Sequence, residues 1–260
     1  MALTNSRDRN KILRRLYIPW AWLVFIPYLA FSTLVWGVIA VIISTFSPKP
    51  AFHCGTIWSR CLCWINFTRI ELTGREYARK GCSYIIMSNH QSHFDILAFY
   101  GHWGRQFRWV LKEELRNIPG LGWYCAAGGH IFIDRSSQEK AVASLKAAQS
   151  LLEGGISVMI FPEGTRSTDG RIKEFKKGGF MLALDLGLPI LPVSISGSRH
   201  VLPNRTLDLF PGRIRITVHP PIDTTVNRPD KRDRLREEVR EVIMLGLTEN
   251  ERDAGIGDEE

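Results

Sequence analysis

Between Arg15 and Lys49 the chain has no charged residue, a gap of 33 positions rich in Leu, Ile, Val, Phe and Trp. Fully helical, such a run would be about 50 Å long at 1.5 Å per residue, against a hydrocarbon core of about 30 Å. The missing charge therefore predicts a membrane segment. It is either one tilted or broken span, or a helix that enters one leaflet and turns back, with Pro48 and Pro50 marking the turn. No small-residue cleavage site stands out, which argues against a secretory leader. A second apolar stretch, 52–67, is broken only by Arg60 and has the length of an interfacial helix. Trp20, Trp22, Tyr28 and Trp36 sit where rings could mark a headgroup boundary, or simply fill apolar space. Arg7, Arg9, Lys11, Arg14 and Arg15 precede the run and favour a cytoplasmic N-terminus.

Other absences narrow the chemistry. The five cysteines are odd in number and lack paired spacing, which argues against a disulfide framework. Cys61-Leu62-Cys63 is too tight for the usual zinc pairs, and no second pair follows. All five are expected as reduced thiols in membrane or core positions. There is no Gly-x-Ser-x-Gly serine elbow and no internal repeat. Acidic residues concentrate at the end: 249–260 holds six acids and one arginine, net −5, so a chain of net +8 carries +13 elsewhere. A body that basic calls for an anionic partner: lipid headgroups, a phosphorylated substrate or nucleic acid. The lack of interleaved aromatic and basic base-reading motifs argues against nucleic acid.

From Ile70 onward short apolar runs alternate with helical stretches. Strands are predicted at 84–87, 107–111, 131–133, 157–161, 190–195 and 213–218. Helices are predicted at 96–102, 138–152, 178–186 and 232–247. This alternation implies an α/β fold with a largely parallel central sheet flanked by helices, preceded by the membrane-associated helical segment. The expected division is 1–68 for one or two membrane-anchoring helices, 69–248 for the α/β domain, and 249–260 for an acidic, disordered tail.

In open α/β sheets, ligands gather beyond the carboxyl ends of the strands. Two polar motifs fall there. The first is Asn89-His90-Gln91-Ser92-His93-Phe94-Asp95, after the strand at 84–87. Its His-x4-Asp spacing is weak alone. A strand end turning into a helix would nevertheless let Asp95 take a hydrogen bond from one ring nitrogen of His90, leaving the other basic. That is the base and orienter of a triad. No third, nucleophilic member is marked: Ser92 reads as a helix cap, and His93 as a helix-start residue. The simplest chemistry is direct proton removal by His90 from a substrate hydroxyl. The second motif is Phe161-Pro162-Glu163-Gly164-Thr165-Arg166-Ser167. Its backbone N–H groups and the Arg166 guanidinium can hold an anion. Glu163 can either meet a substrate hydroxyl or pair with an arginine. Lys173 and Lys177, in the basic run that follows, read as solvated. Lys112 and Arg135 are two further strand-end cations on the same predicted side.

These blocks resemble the glycerolipid acyltransferases, and among them the 1-acyl-glycerol-3-phosphate acyltransferases. The matching blocks are 89–95, Gly129-His130-Ile131-Phe132-Ile133-Asp134-Arg135, 161–167, and Leu191-Pro192-Val193-Ser194-Ile195, in that order. The resemblance covers 70–218. It implies acyl transfer from acyl-CoA or acyl-carrier protein to the sn-2 hydroxyl of lysophosphatidic acid, with no bound cofactor or metal. It implies His90 as base and Asp95 as its partner. It also implies glycerol-phosphate binding by Glu163, Gly164, Thr165 and Arg166, with Lys112 and Arg135 helping on the phosphate. Partners would be the two substrates and membrane lipid, with the catalytic domain on the cytoplasmic side, at the inner membrane in a bacterium. Glycerol-3-phosphate or another lysolipid remains open as acceptor, as do a lipid hydrolase and a non-catalytic basic membrane-binding module.

Overall fold

The computed structural model describes residues 15, 17–134, 155–224, 231–249 and 251. Among them seven strands form one sheet: β1 (Thr68–Thr73), β2 (Ile85–Ser88), β3 (Phe107–Lys112), β4 (Ile131–Ile133), β5 (Ser157–Ile160), β6 (Ile190–Ser196) and β7 (Gly212–Val218). Their spatial order is β1-β7-β6-β2-β5-β3-β4. From β6 to β4 all neighbours are parallel, as the alternating pattern predicts. β7 runs antiparallel to β6 and carries β1 parallel on its far side. The reversal has a local cause. A parallel return needs a crossover of a dozen or more residues, usually a helix, and the only helix between β6 and β7 is α6 (Ser198–Val201).

The remaining helices are α1 (Tyr17–Ser44), α2 (Pro48–Ile65), α3 (Phe94–Trp103), α4 (Leu121–Ala127), α5 (Gly178–Leu186) and α7 (Lys231–Leu245). β2 is buried at every position, because helices cover both faces of the sheet. On one face Ile86, Met159, Val193 and Ile216 pack with α1 to α4; on the other Ile85, Met87 and Val158 pack with α5 and α7. The expected helix at 138–152 and the site candidate Arg135 lie outside the described residues, as does most of 249–260. Glu251, within that expected tail, is described and buried: its carboxylate accepts the Gly197 N–H at 2.8 Å and the Thr248 hydroxyl at 2.8 Å.

The predicted membrane segment is a single helix, α1, of 28 residues with mean hydropathy 2.2. A π-helical stretch at Ala21–Phe25 stands just ahead of Pro27, whose ring and missing N–H disturb regular pairing. Its inward residues are mostly small: Ala21, Ser32, Gly37 and Ala40 are buried, whereas Leu23, Phe31 and Ile42 are 77%, 69% and 56% exposed. Small residues inside and large apolar ones outside reverse the pattern of a helix solvated by water and suit one solvated by lipid. α2 folds back along α1, and both join the core that the sheet and α3 share. Residues 17–68 are thus packed into the body. At Gly37 a Cβ would lie 2.5 Å from the Gly120 carbonyl oxygen, so the two backbones meet directly. Among the cysteines, Cys54, Cys63 and Cys125 are buried. Cys82 departs from the expectation: it is exposed, in the turn before β2.

Candidate active site

β2 ends at Ser88, and the side chain of Asn89 extends its pairing with β6. The Asn89 amide donates to the Ile195 carbonyl and accepts the Ile195 N–H, both at 2.8 Å. The chain then turns through 90–93 into α3. Ser92 accepts the Phe94 N–H at 3.1 Å and donates its own proton to the Leu202 carbonyl at 2.7 Å. It caps the helix start, and its hydroxyl proton already has an acceptor. One turn on, Asp95 is fully buried, and its Oδ2 accepts the N–H groups of Gln91 (2.7 Å) and Ser92 (2.8 Å). This is the return bond of a capping box, placing the negative charge at the helix N-terminus. The same oxygen lies 2.8 Å from His90 Nδ1. A carboxylate only accepts, so Nδ1 carries the proton and Nε2 is left as the basic nitrogen. The His90 side chain is 13% exposed.

The loop after β5 is sewn to this turn. His90 donates its backbone N–H to Glu163 Oε1 at 2.7 Å, and Lys173 donates its own to Oε2 at 3.1 Å. Ser167 N–H reaches the His90 carbonyl at 2.9 Å, and the Gln91 amide reaches the Gly170 carbonyl at 3.0 Å. Burial pushes the Glu163 carboxyl up to about 7, against the pull of the two amides. Gly164 holds φ +71°, a left-handed conformation that residues other than glycine strain to adopt, so the tight turn favours glycine. Thr165 is exposed and accepts the Lys173 ammonium at 3.3 Å. Arg166 is half-buried, and its carbonyl is held by Asn204 (3.2 Å) and Lys173 (3.2 Å). Its guanidinium forms no ion pair with a described carboxylate. Burial lowers its pKa, the Asp95 charge opposes that, and the like charge of Arg205 adds to it.

The structure therefore brings His90, Asp95, Glu163, Gly164, Thr165 and Arg166 to one edge of the sheet. Lys112 ends β3, exposed on that same edge, with no hydrogen bond to either loop. Glu163 pairs with no arginine among the described residues; each of its oxygens accepts one backbone amide, as a buried carboxylate requires. Lys173 is exposed, in keeping with its reading as solvated, and it also binds the 163–167 loop through its N–H and its ammonium. Asn204 and the ring of Phe161, which lies 3.8 Å from the His90 ring at 8°, were not singled out by the sequence. Asn204 carries no motif; Phe161 lay within a block but had no charge to draw attention.

Comparison with known proteins comes to the same region. A family model described as acyltransferase matches residues 69–196. The chain is similar to the 1-acyl-sn-glycerol-3-phosphate acyltransferase of Limnanthes alba, with 30% identity across 98% of this chain and 92% of that protein. It is 33% identical to the enzyme of the same description from Pseudomonas aeruginosa, across 76% of this chain and 78% of that protein. Its fold matches the crystal structure of the 1-acyl-sn-glycerophosphate acyltransferase of Thermotoga maritima with a TM-score of 0.72 and 28% identity, covering 92% of this chain and 95% of that one.

Proposed function

Because the chain belongs to the 1-acyl-sn-glycerol-3-phosphate acyltransferase family, we propose that His90 and Asp95 drive its reaction. The chain is an O-acyltransferase that acylates lysophosphatidic acid to phosphatidic acid in phospholipid synthesis. His90 Nε2 removes the proton of the acceptor's sn-2 hydroxyl, and that oxygen attacks the carbonyl carbon of the acyl thioester. A tetrahedral oxyanion forms; the C–S bond breaks, and the departing thiolate takes the proton back from His90. The observation that carries this reading is the Asp95 carboxylate, locked by two amides and holding His90 Nδ1 at 2.8 Å. Direct transfer, with no acyl-enzyme, is favoured because the Ser92 hydroxyl is buried and already hydrogen-bonded.

Arg166 meets the acceptor phosphate, with Lys112 and Arg135 assisting. Arg166 forms no ion pair with a described carboxylate, and the like charge of Arg205 bears on it; a phosphate is drawn to two such cations. The Gly164–Thr165 turn shapes that site, and Glu163 holds it to His90 instead of touching substrate. The acyl donor is acyl-CoA or acyl-carrier protein, with no further cofactor. The membrane-associated chain keeps its catalytic domain on the cytoplasmic side, in line with the basic residues that end at Arg15.

The test is one assay of the purified protein in detergent. It offers lysophosphatidic acid, glycerol-3-phosphate and other lysolipids, with both donor types. Phosphatidic acid should form from lysophosphatidic acid, and His90→Ala should lose about 10²–10⁴-fold in turnover while keeping its fold. Wild-type turnover by folded His90→Ala would sink the mechanism. Release of free fatty acid without acylated lipid would make the chain a hydrolase.

A further inference from the structure

β2, β5 and β3 are adjacent parallel strands. Two rings beyond the carboxyl ends of β2 and β5 and one ring within β3 form a row. The imidazole of His90, just beyond β2, lies flat on Phe161, just beyond β5, with centroids 3.8 Å apart and planes 8° apart. Phe161 in turn lies against Trp109 of β3 at 5.5 Å and 24°. Trp109 is a fixed wall. It is 4% exposed, it meets the edges of Phe107 at 5.0 Å and Phe99 at 6.0 Å, and its backbone N–H is held by buried His130 at 3.1 Å.

Asp95 alone does not orient the base completely. One hydrogen bond to Nδ1 fixes a point on the ring but leaves it free to rock about that point, which would swing Nε2. A ring stacked flat at van der Waals distance removes that rocking. Proton transfer also makes an imidazolium, and a cation over the face of an aromatic ring is attracted by its quadrupole. We propose that Phe161, backed by Trp109, is a positioning residue for the acyl transfer: it holds the His90 ring in its working plane and stabilises the imidazolium formed when the acceptor hydroxyl is deprotonated. This rests on His90 being the base.

The experiment compares the full chain in detergent with Phe161→Leu, Phe161→Tyr and His90→Ala, measuring kcat, both KM values and thermal melting. Phe161→Leu should lower kcat roughly 2- to 30-fold, with both KM values within about twofold of the original. Phe161→Tyr, which keeps the ring face, should stay near the original kcat. An unchanged kcat in Phe161→Leu, a loss confined to KM, or an equal loss in the tyrosine variant would overturn the proposal. Should Phe161→Leu not fold, Trp109→Phe against Trp109→Leu reads the same stack one ring further out, with the same pair of outcomes. An active His90→Ala would defeat the underlying mechanism. An inactive His90→Ala beside an unaffected Phe161→Leu would defeat only the stack.

Discussion

Asp95→Asn changes one atom and should separate what this residue does for the fold from what it does for the chemistry. In the native site Oδ2 receives three donors, at 2.7, 2.8 and 2.8 Å, and Oδ1 is buried without a hydrogen-bond partner among the described residues. An asparagine has two ways to sit. With its carbonyl oxygen in the Oδ2 position all three bonds survive geometrically, but each loses its charge assistance, and the new NH₂ is buried where nothing accepts it. With the NH₂ in the Oδ2 position, it faces three donors. The first is less costly and is the one to expect. An unsatisfied buried donor costs about 1–3 kcal/mol, and relief of the buried carboxylate's desolvation offsets part of the weakened bonds. Stability should therefore fall by about 1–3 kcal/mol, or roughly 2–10 °C in melting temperature. Catalysis should suffer far more. The imidazolium loses its counter-charge, and the same change in a hydrolase triad lowers turnover by about 10⁴-fold. Thiol release from an acyl thioester in the presence of lysophosphatidic acid measures the rate; circular dichroism measures the melting. A folded Asp95→Asn protein turning over within about threefold of the original would refute the role assigned to Asp95.

Three further expectations follow from the same geometry. Arg166→Ala should raise KM for the lysophospholipid by roughly tenfold or more, from the loss of charge-assisted bonds, with the donor KM little changed; an unchanged acceptor KM in steady-state kinetics would remove Arg166 from the phosphate site. Burial raises the Glu163 pKa from 4.5 to about 7, so the stability tied to its proton is complete below about pH 4.5 and is lost as pH rises through about 7. Glu163→Gln cannot ionise, and its melting temperature should gain on the original protein between about pH 5 and 8; a shift the other way would mean that the two backbone amides outweigh burial. Gly37→Val should drive a side chain into the Gly120 carbonyl and cost about 1–3 kcal/mol by overpacking, and an unaltered melting curve would show that α1 and the loop before α4 do not meet as described.

Much of the fold could be read in advance because the central strands carry their own signal. Ile85–Ser88 and Ile190–Ser196 are buried on both faces, so they appear as mainly apolar runs, with small serines and one proline. β1 was missed for the opposite reason. Thr-Arg-Ile-Glu-Leu-Thr alternates weakly on a half-exposed edge strand, and its arginine and glutamate read as surface. α4 was also missed: Pro119, Gly120 and Gly122 look like loop, and the helix forms where it docks against α1. In the site, side chain to side chain was legible and backbone was not. His90 and Asp95 could be paired from spacing and a strand end. Nothing in the letters says that Glu163 will accept the His90 amide, since every residue but proline offers the same N–H.

The contact between Gly37 and Gly120 gives the N-terminal helix a second meaning. Side chains at a helix contact can slide and repack; two backbones pressed together cannot. α1 and the loop that leads into α4 are thus parts of one solid, and β3 and β4 flank that loop on either side. Set in lipid, a helix this apolar would therefore also work as a depth gauge. Wherever α1 comes to rest in the bilayer, the height of His90 relative to the headgroups is already decided, and the acceptor hydroxyl has only to float at that level to be within reach.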